Sequence, residues 1–323
     1  MAELTRRGVL ASFLAFAVSP ARAQSGWPSR SVMLVHGFPP GGPVDILSRI
    51  LAEAMSRRLG QTVIVEAKPG ATGTTAAAQV AHAKPDGYTL MAVPATYVAT
   101  SAMYRSLPYR PIEDFSFIST TAEYPMVIVA HADSPIKNLT DMVAQARNRV
   151  TPLQYGTAGV GSLQHLSMEL IAKQANVKLE HIPYRGGAPA ITDLLGKRLD
   201  IVIDPPTALM QLIADEKLRA LAVTAAARFA GLPTVPTVAE SGFTGFAVTA
   251  YQGIAAPAAV PEELVQKLNK VLADVLNDPT VGEQMRKVGN TPTPSSPAQY
   301  KERLVADIAQ WSKLIADTSI ARM

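Results

Sequence analysis

Apolar residues recur along this chain at two periods, and the period switches at turns rich in glycine and proline. Val32, Met33, Leu34 and Val35 form an apolar run of strand length. After the turn Phe38–Pro43, residues Val44, Leu47, Leu51, Met55 and Leu59 recur at helical spacing, with Ile46 and Ile50 alongside. A strand therefore feeds a turn, and the turn feeds a helix. Thr62–Glu66 predicts a second strand. The turn Lys68–Gly73 opens a small-residue helix over about Thr74–His82, and Lys84–Gly87 leads into a third strand over Tyr88–Val93. This alternation predicts an α/β protein with a mostly parallel sheet and helices on both faces. On such sheets ligands lie beyond the carboxyl ends of the strands. The turns at Phe38–Pro43, Gly70–Gly73 and Pro94–Tyr97 fall on that edge.

The second half repeats the scheme. Phe115–Thr121 and Met126–Ala130 read as strands, and the second carries the chain past Pro125 into another lobe. Leu139–Arg149 is a predicted helix and Leu153–Gly156 a strand, which runs into Thr157-Ala158-Gly159-Val160-Gly161-Ser162 and a helix with Leu163, Leu166, Leu170 and Ile171 on one face. Leu179–Pro183, Leu199–Ile203 and Leu218–Thr224 are further strands, with a short helix at Pro189–Leu195. Val248–Ala255 crosses back. Helices follow at Pro261–Leu276, about Pro279–Val288 and about Pro297–Asp317; the last buries Tyr300, Leu304, Ile308, Trp311 and Ile315 as core. The expected division is 24–125 with 251–323 in one lobe and 126–250 in the other.

The first turn has the chemistry of an anion seat. The N–H groups of a first helical turn lack helical partners, and the dipole makes that end partly positive. Gly41 and Gly42 let a ligand approach the main chain, and Pro43 suits a first helical position. The same features also describe an ordinary turn between strand and helix. His36 at the strand end is either a ligand contact or an organiser of its own turn. Asp45 either caps the helix or supports a ligand, and Arg185 either pairs with a carboxylate or pins its loop. Asp204, at a strand end before Pro205-Pro206, is expected to face the cleft and to disfavour a polyanion.

Composition narrows the classes. The chain has 323 residues, 48% of them hydrophobic, enough for two lobes with real cores. Residues 1–23 carry Arg6 and Arg7, the apolar run Val9–Val18 and Ala21-Arg22-Ala23, the pattern of an export signal cleaved after Ala23. Arg6-Arg7 leaves the Sec and twin-arginine routes both open. The net charge of +4 falls to +2 without that segment, and no basic run suggests nucleic acid. There is no cysteine, and His36, His82, His131, His165 and His181 lack zinc-motif spacing, so neither metal nor cofactor is expected. Val35-His36-Gly37-Phe38 suggests the oxyanion segment of an α/β-hydrolase, but the chain has no G-x-S-x-G elbow.

Nine short motifs then occur in a distinctive order: Trp27-Pro28, Phe38–Asp45, Pro85–Leu90, Leu107–Tyr109, Tyr155–Ser162, Pro183–Ala190, Leu221–Thr224, Pro233–Glu240 and Ala255–Pro257. Together they resemble the Bug family, the periplasmic substrate-binding proteins of tripartite tricarboxylate transporters. The resemblance implies a two-lobed, periplasmic-binding-protein-like fold that closes on a small organic carboxylate or amino acid, acts without catalysis as a monomer, and serves a membrane permease or a sensory pathway. It implies ligand contacts from Phe38, Pro40, Gly41, Gly42 and Asp45 in one lobe and Thr157, Ala158, Gly159, Gly161 and Ser162 in the other. Asp204 would face the ligand and select for an ammonium group. His36-Gly37 and the segment Tyr97–Tyr104 depart from the family pattern.

Overall fold

The computed structural model describes residues 26–316; the segment read as an export signal lies outside them. The first run of elements is β1 (Val32–His36), α1 (Pro43–Leu59), β2 (Val63–Ala67), α2 (Thr74–Ala81), β3 (Thr89–Val93), α3 (Thr96–Met103) and β4 (Phe115–Pro125). The second is β5 (Val127–His131), α4 (Leu139–Asn148), β6 (Leu153–Thr157), α5 (Leu163–Ala175), β7 (Leu179–Pro183), α6 (Gly187–Leu195), β8 (Ile201–Asp204), α7 (Pro206–Ala214) and β9 (Leu218–Val223). The chain then returns through β10 (Thr249–Pro257) to α8 (Glu262–Leu276), α9 (Pro279–Lys287), β11 (Thr291–Pro292) and α10 (Pro297–Ala316).

These strands make two sheets, one of six in the order β11-β4-β10-β3-β1-β2 and one of five in the order β7-β6-β8-β5-β9. β1 is parallel to β2 and β3, and β6 is parallel to β7 and β8. β10 and β5 run against both of their neighbours. Each enters its sheet from the other one, at the carboxyl edge of the parallel strands, and so runs the opposite way.

Period-two alternation splits the first sheet's core into two layers. Val32, Leu34, Leu90, Ala92 and Ile254 pack with Leu47, Leu51 and Met55 of α1 and Leu264, Leu268 and Leu272 of α8. Val35, Met91, Val93, Tyr251 and Ala255 point the other way, onto Ala76, Ala77 and Val80 of α2 and Tyr300 and Leu304 of α10. Each fully buried leucine contributes about 1.5–3 kcal/mol. The α10 stripe is core, as its spacing indicated: Tyr300 and Leu304 are fully buried, and Ile315 joins Ala99, Met103 and Leu166 in a cluster that ties α10 and α3 to α5.

Three helix starts differ from the sequence expectation. Pro94–Tyr97 is not an isolated turn but leads into α3. That helix is buried on nearly every side, which erases the amphipathic period, and its Thr and Val residues read as strand formers. Pro205-Pro206 opens α7, with Pro206 at the first helical position where its missing N–H matters least. α6 begins at Gly187, two residues before the expected start.

The crossing segments between the sheets are tied together by Thr224. Its N–H donates to the Met126 carbonyl at 3.0 Å, and its carbonyl accepts from Val248 N–H at 2.8 Å. Its hydroxyl accepts from Met126 N–H at 2.9 Å and donates to the Val248 carbonyl at 2.7 Å.

Candidate functional site

The turn after β1 is organised by Asp45. His36, fully buried at the strand end, donates from Nε2 to Asp45 Oδ1 at 3.0 Å, and Phe38 N–H approaches His36 Nδ1 at 3.4 Å. Gly41 N–H and Arg49 Nε donate to Asp45 Oδ2 at 2.9 and 2.8 Å, and Arg49 Nη2 reaches Oδ1 at 3.0 Å. Burial raises the Asp45 carboxyl, but the bonds from Arg49, Gly41 and His36 outweigh it, so the net direction is down. Burial holds His36 below the usual imidazole range despite Asp45 beside it. His36 therefore orders its own turn, with both ring nitrogens engaged and none left to activate a serine. Gly41 N–H is used inside the turn, where Asp45 accepts it.

The second turn rests on a column of rings. His181 stacks on His165 at 4.0 Å between centroids and on Tyr155 at 5.1 Å. His181 Nε2 lies 2.6 Å from Thr157 Oγ1, which accepts from Gly159 N–H at 3.2 Å. His165 Nδ1 accepts from Gly161 N–H at 3.3 Å, and Ser162 Oγ caps α5 by accepting from His165 N–H. Burial and the neighbouring His165 push His181 down to about 3.

Between the turns lies a cavity of about 40 Å³ on which five helix starts converge. Pro43 and Val44 open α1, and Ala95 and Thr96 open α3. Gln164 is the second residue of α5, Gly187–Pro189 open α6, and Pro205 precedes α7. Each start carries partial positive charge, so the field favours an anion, and those of α1, α3, α5 and α6 include residues with amide hydrogens, whereas Pro205 and Pro206 give α7 none. Phe38, Pro39, Ala158 and Gly186 also line an outer chamber of about 660 Å³, with Tyr104, Gly159 and Arg185 further out. The two sides approach closely: a β-carbon at Gly186 (φ +114°) would stand 3.2 Å from Pro39 Cδ, and one at Gly159 would stand 3.3 Å from Thr72 Oγ1.

Asp204 forms the floor at the carboxyl end of β8. It is 1% exposed; Gln164 Nε2 donates to its Oδ1 at 3.1 Å, and Oδ2 has no partner. Burial pushes the carboxyl up to about 7, with the Gln164 bond opposing. Its position against α6 requires a glycine, because any β-carbon at Gly187 would collide with the carboxylate.

Of the residues proposed from sequence, Phe38, Gly42, Ala158 and Asp204 line the inner cavity, and Gly159 lines the outer chamber. Asp45, Thr157, Gly161 and Ser162 lie behind the turns and hold their shape. Pro40 and Gly41 are exposed outside both linings. Sequence reasoning missed Gln164, Tyr124 and the opening of α6, and it placed Pro94–Tyr97 on the ligand edge without reading a helix start there. The helix starts after Pro94 and Gly186 were the available signal, since each follows a strand at the same edge.

A sequence profile described as the tripartite tricarboxylate transporter family receptor matches residues 47–320. The chain is 36% identical over 321 residues to the UPF0065 protein of the tcbD-tcbE intergenic region of Pseudomonas sp. strain P51, covering 98% of this chain and 96% of that one. Among solved structures it resembles the periplasmic binding protein BugD (TM-score 0.87, 35% identity, 92% of this chain and 100% of that one). It also resembles Rhodopseudomonas palustris Rpa4515 with adipate (TM-score 0.89, 33% identity, 92% of this chain and 100% of that one).

Proposed function

Because the chain belongs to the tripartite tricarboxylate transporter receptor family, which makes it a solute-binding receptor, we propose that it captures a small organic carboxylate in the periplasm and presents it to a membrane permease. The observation that carries this reading is a cavity lined by five helix starts, those of α1 and α3 from the segment that builds the first sheet and those of α5, α6 and α7 from the segment that builds the second. A carboxylate satisfies amide hydrogens at those starts and replaces their water. The lobes close around it, turning on the segments that Thr224 ties together. Adipate in a structural relative supports the carboxylate class. Export with cleavage after Ala23 delivers the receptor to that compartment.

Capture is the whole of the activity in this reading: ligand is bound and released unchanged, by a monomer. The engaged nitrogens of His36 disfavour the hydrolase reading. Asp204 gives amino acids a place among the ligands, since its unpartnered oxygen suits an ammonium group. A thermal-shift screen of mono-, di- and tricarboxylates and amino acids tests the reading, with hydrolysis of generic esters as the control. A raised melting temperature with at least one carboxylate supports it; turnover of esters would replace it with the hydrolase.

A further inference from the structure

Two residues that line the inner cavity each hold a buried acceptor with no donor to it. Asp204 Oδ2 lacks a partner, and so does Oε1 of Gln164, which is 4% exposed and already gives its Nε2–H to Asp204 Oδ1. Gly187 lies directly against the Asp204 carboxylate, close enough that a β-carbon there would strike it. The titratable group facing Asp204 is the Tyr124 phenol of β4, itself raised by burial and by Asp204. α3, α5, α6 and α7 contribute Thr96, Gln164, Ala188 and Pro205 at this point, so none of them places a cation or an acid on the cavity wall. An ionised, half-paired carboxylate in such a place is unfavourable unless hydrogens are brought to it.

An anionic ligand sharpens the conflict. The converging helix ends favour one negative charge, and ionised Asp204 already supplies it. The family resemblance already implies a preference of Asp204 for ammonium; we propose that Asp204 and Gln164 add a proton switch to it. A ligand whose far end is a carboxylate is captured together with one proton from solvent. A ligand whose far end is an ammonium group is captured with Asp204 ionised.

The proposal rests on the receptor reading and names the ligand classes of that same cavity. In the first case the solvent proton adds to Asp204 Oδ2, and the resulting O–H donates to the ligand carboxylate. In the second the acid loses its proton to solvent, and ammonium hydrogens reach Asp204 Oδ2 and Gln164 Oε1. Burial brings Asp204 to about 7, so both forms are within reach at neutral pH.

Titration calorimetry with adipate and 6-aminohexanoate, equal in length and different in far-end charge, tests the pair in phosphate and Tris at pH 7. The expected result is buffer-dependent enthalpy of opposite sign: about half a proton taken up with adipate and about half released with 6-aminohexanoate. Asp204→Asn abolishes both dependences. Enthalpies that do not depend on buffer, or a dependence that survives Asp204→Asn, would overturn the pair. Independently, the Asp204 carboxyl carbon is titrated by NMR in the ligand-free wild-type protein. A midpoint near 7 supports the proposal, and one in the ordinary carboxylate range of about 4 sinks it. If neither probe binds, the receptor reading loses support for ligands of this length, and the NMR midpoint alone decides the pair.

Discussion

Gly187 has no side chain where Asp204 places its carboxylate. The first residue of α6 and the last residue of β8 meet so closely that a single methyl group would strike both carboxylate oxygens. That contact fixes how near α6 comes to the cavity, and with it the positions of the amide hydrogens at its start.

Gly187→Ala is therefore expected to damage binding more than folding. Overpacking of this kind costs about 1–3 kcal/mol, taken up by moving α6 away from Asp204. Calorimetry should show carboxylate affinity reduced about tenfold or more, with the far-ultraviolet circular dichroism of the wild type retained. Unchanged affinity would remove α6 from the site.

Asp45→Ala tests the hub of the first turn. It leaves Gly41 N–H and the buried His36 without their acceptor, and a buried polar group left unpaired costs about 1–3 kcal/mol. Chemical denaturation should show a loss of about 2 kcal/mol or more at pH 7. The Asp45 carboxyl is lowered in the folded state, so its contribution is present above the unfolded value of about 4 and is lost as the pH falls below that. The difference between variant and wild type should shrink toward pH 3.

Asp204 carries the opposite sign. Its folded-state value near 7 lies above the unfolded one, so the folded protein keeps a proton that the unfolded chain gives up. Stability from this group is full below about pH 4 and is lost as the pH rises to about 7. Ligand-free Asp204→Asn, which does not titrate, should gain on the wild type across that window and hold a constant advantage at pH 8, read as melting temperature.

The ring column under the second turn gives an acid-sensitive term. His181 titrates near 3 when folded and near 6.5 when unfolded, so stability is lost as the pH falls from about 6.5 toward 3. Protonation of His181 also makes Nε2 a donor toward Thr157 and places charge against His165. His181→Gln should flatten the acid limb of the melting profile, and an unchanged limb would assign that loss to other groups.

The fold was legible where the hydrophobic period was clean. The strand–turn–helix at Val32–Leu59 and the stripe Tyr300–Ile315 formed as their spacing indicated, because each helix buries one face and leaves the other in water. α3 was not legible, because burial on nearly all sides leaves no polar face to mark it. Cavity-lining residues were legible where a strand ends at the cavity, as at Asp204 and Ala158. Spacing could not distinguish a glycine that faces ligand from one whose N–H is already taken. Gly41 and Asp45 sit in the right turn, but they satisfy each other, and their role is to hold Phe38 and Gly42 in place. Gln164 escaped notice because an amide at the second position of a helix carries no signal until a β-strand from elsewhere brings a carboxylate beside it.

Where the ligand sits is read from a crystal structure grown with the carboxylate that raises the melting temperature most. Its carboxylate oxygens are expected within hydrogen-bond distance of main-chain N–H groups at the starts of α1 and α6, in the cavity above Asp204, with Ala158 closing the opposite wall. A ligand bound outside that cavity, with Phe38 and Ala158 unchanged and the floor at Asp204 untouched, would contradict this placement.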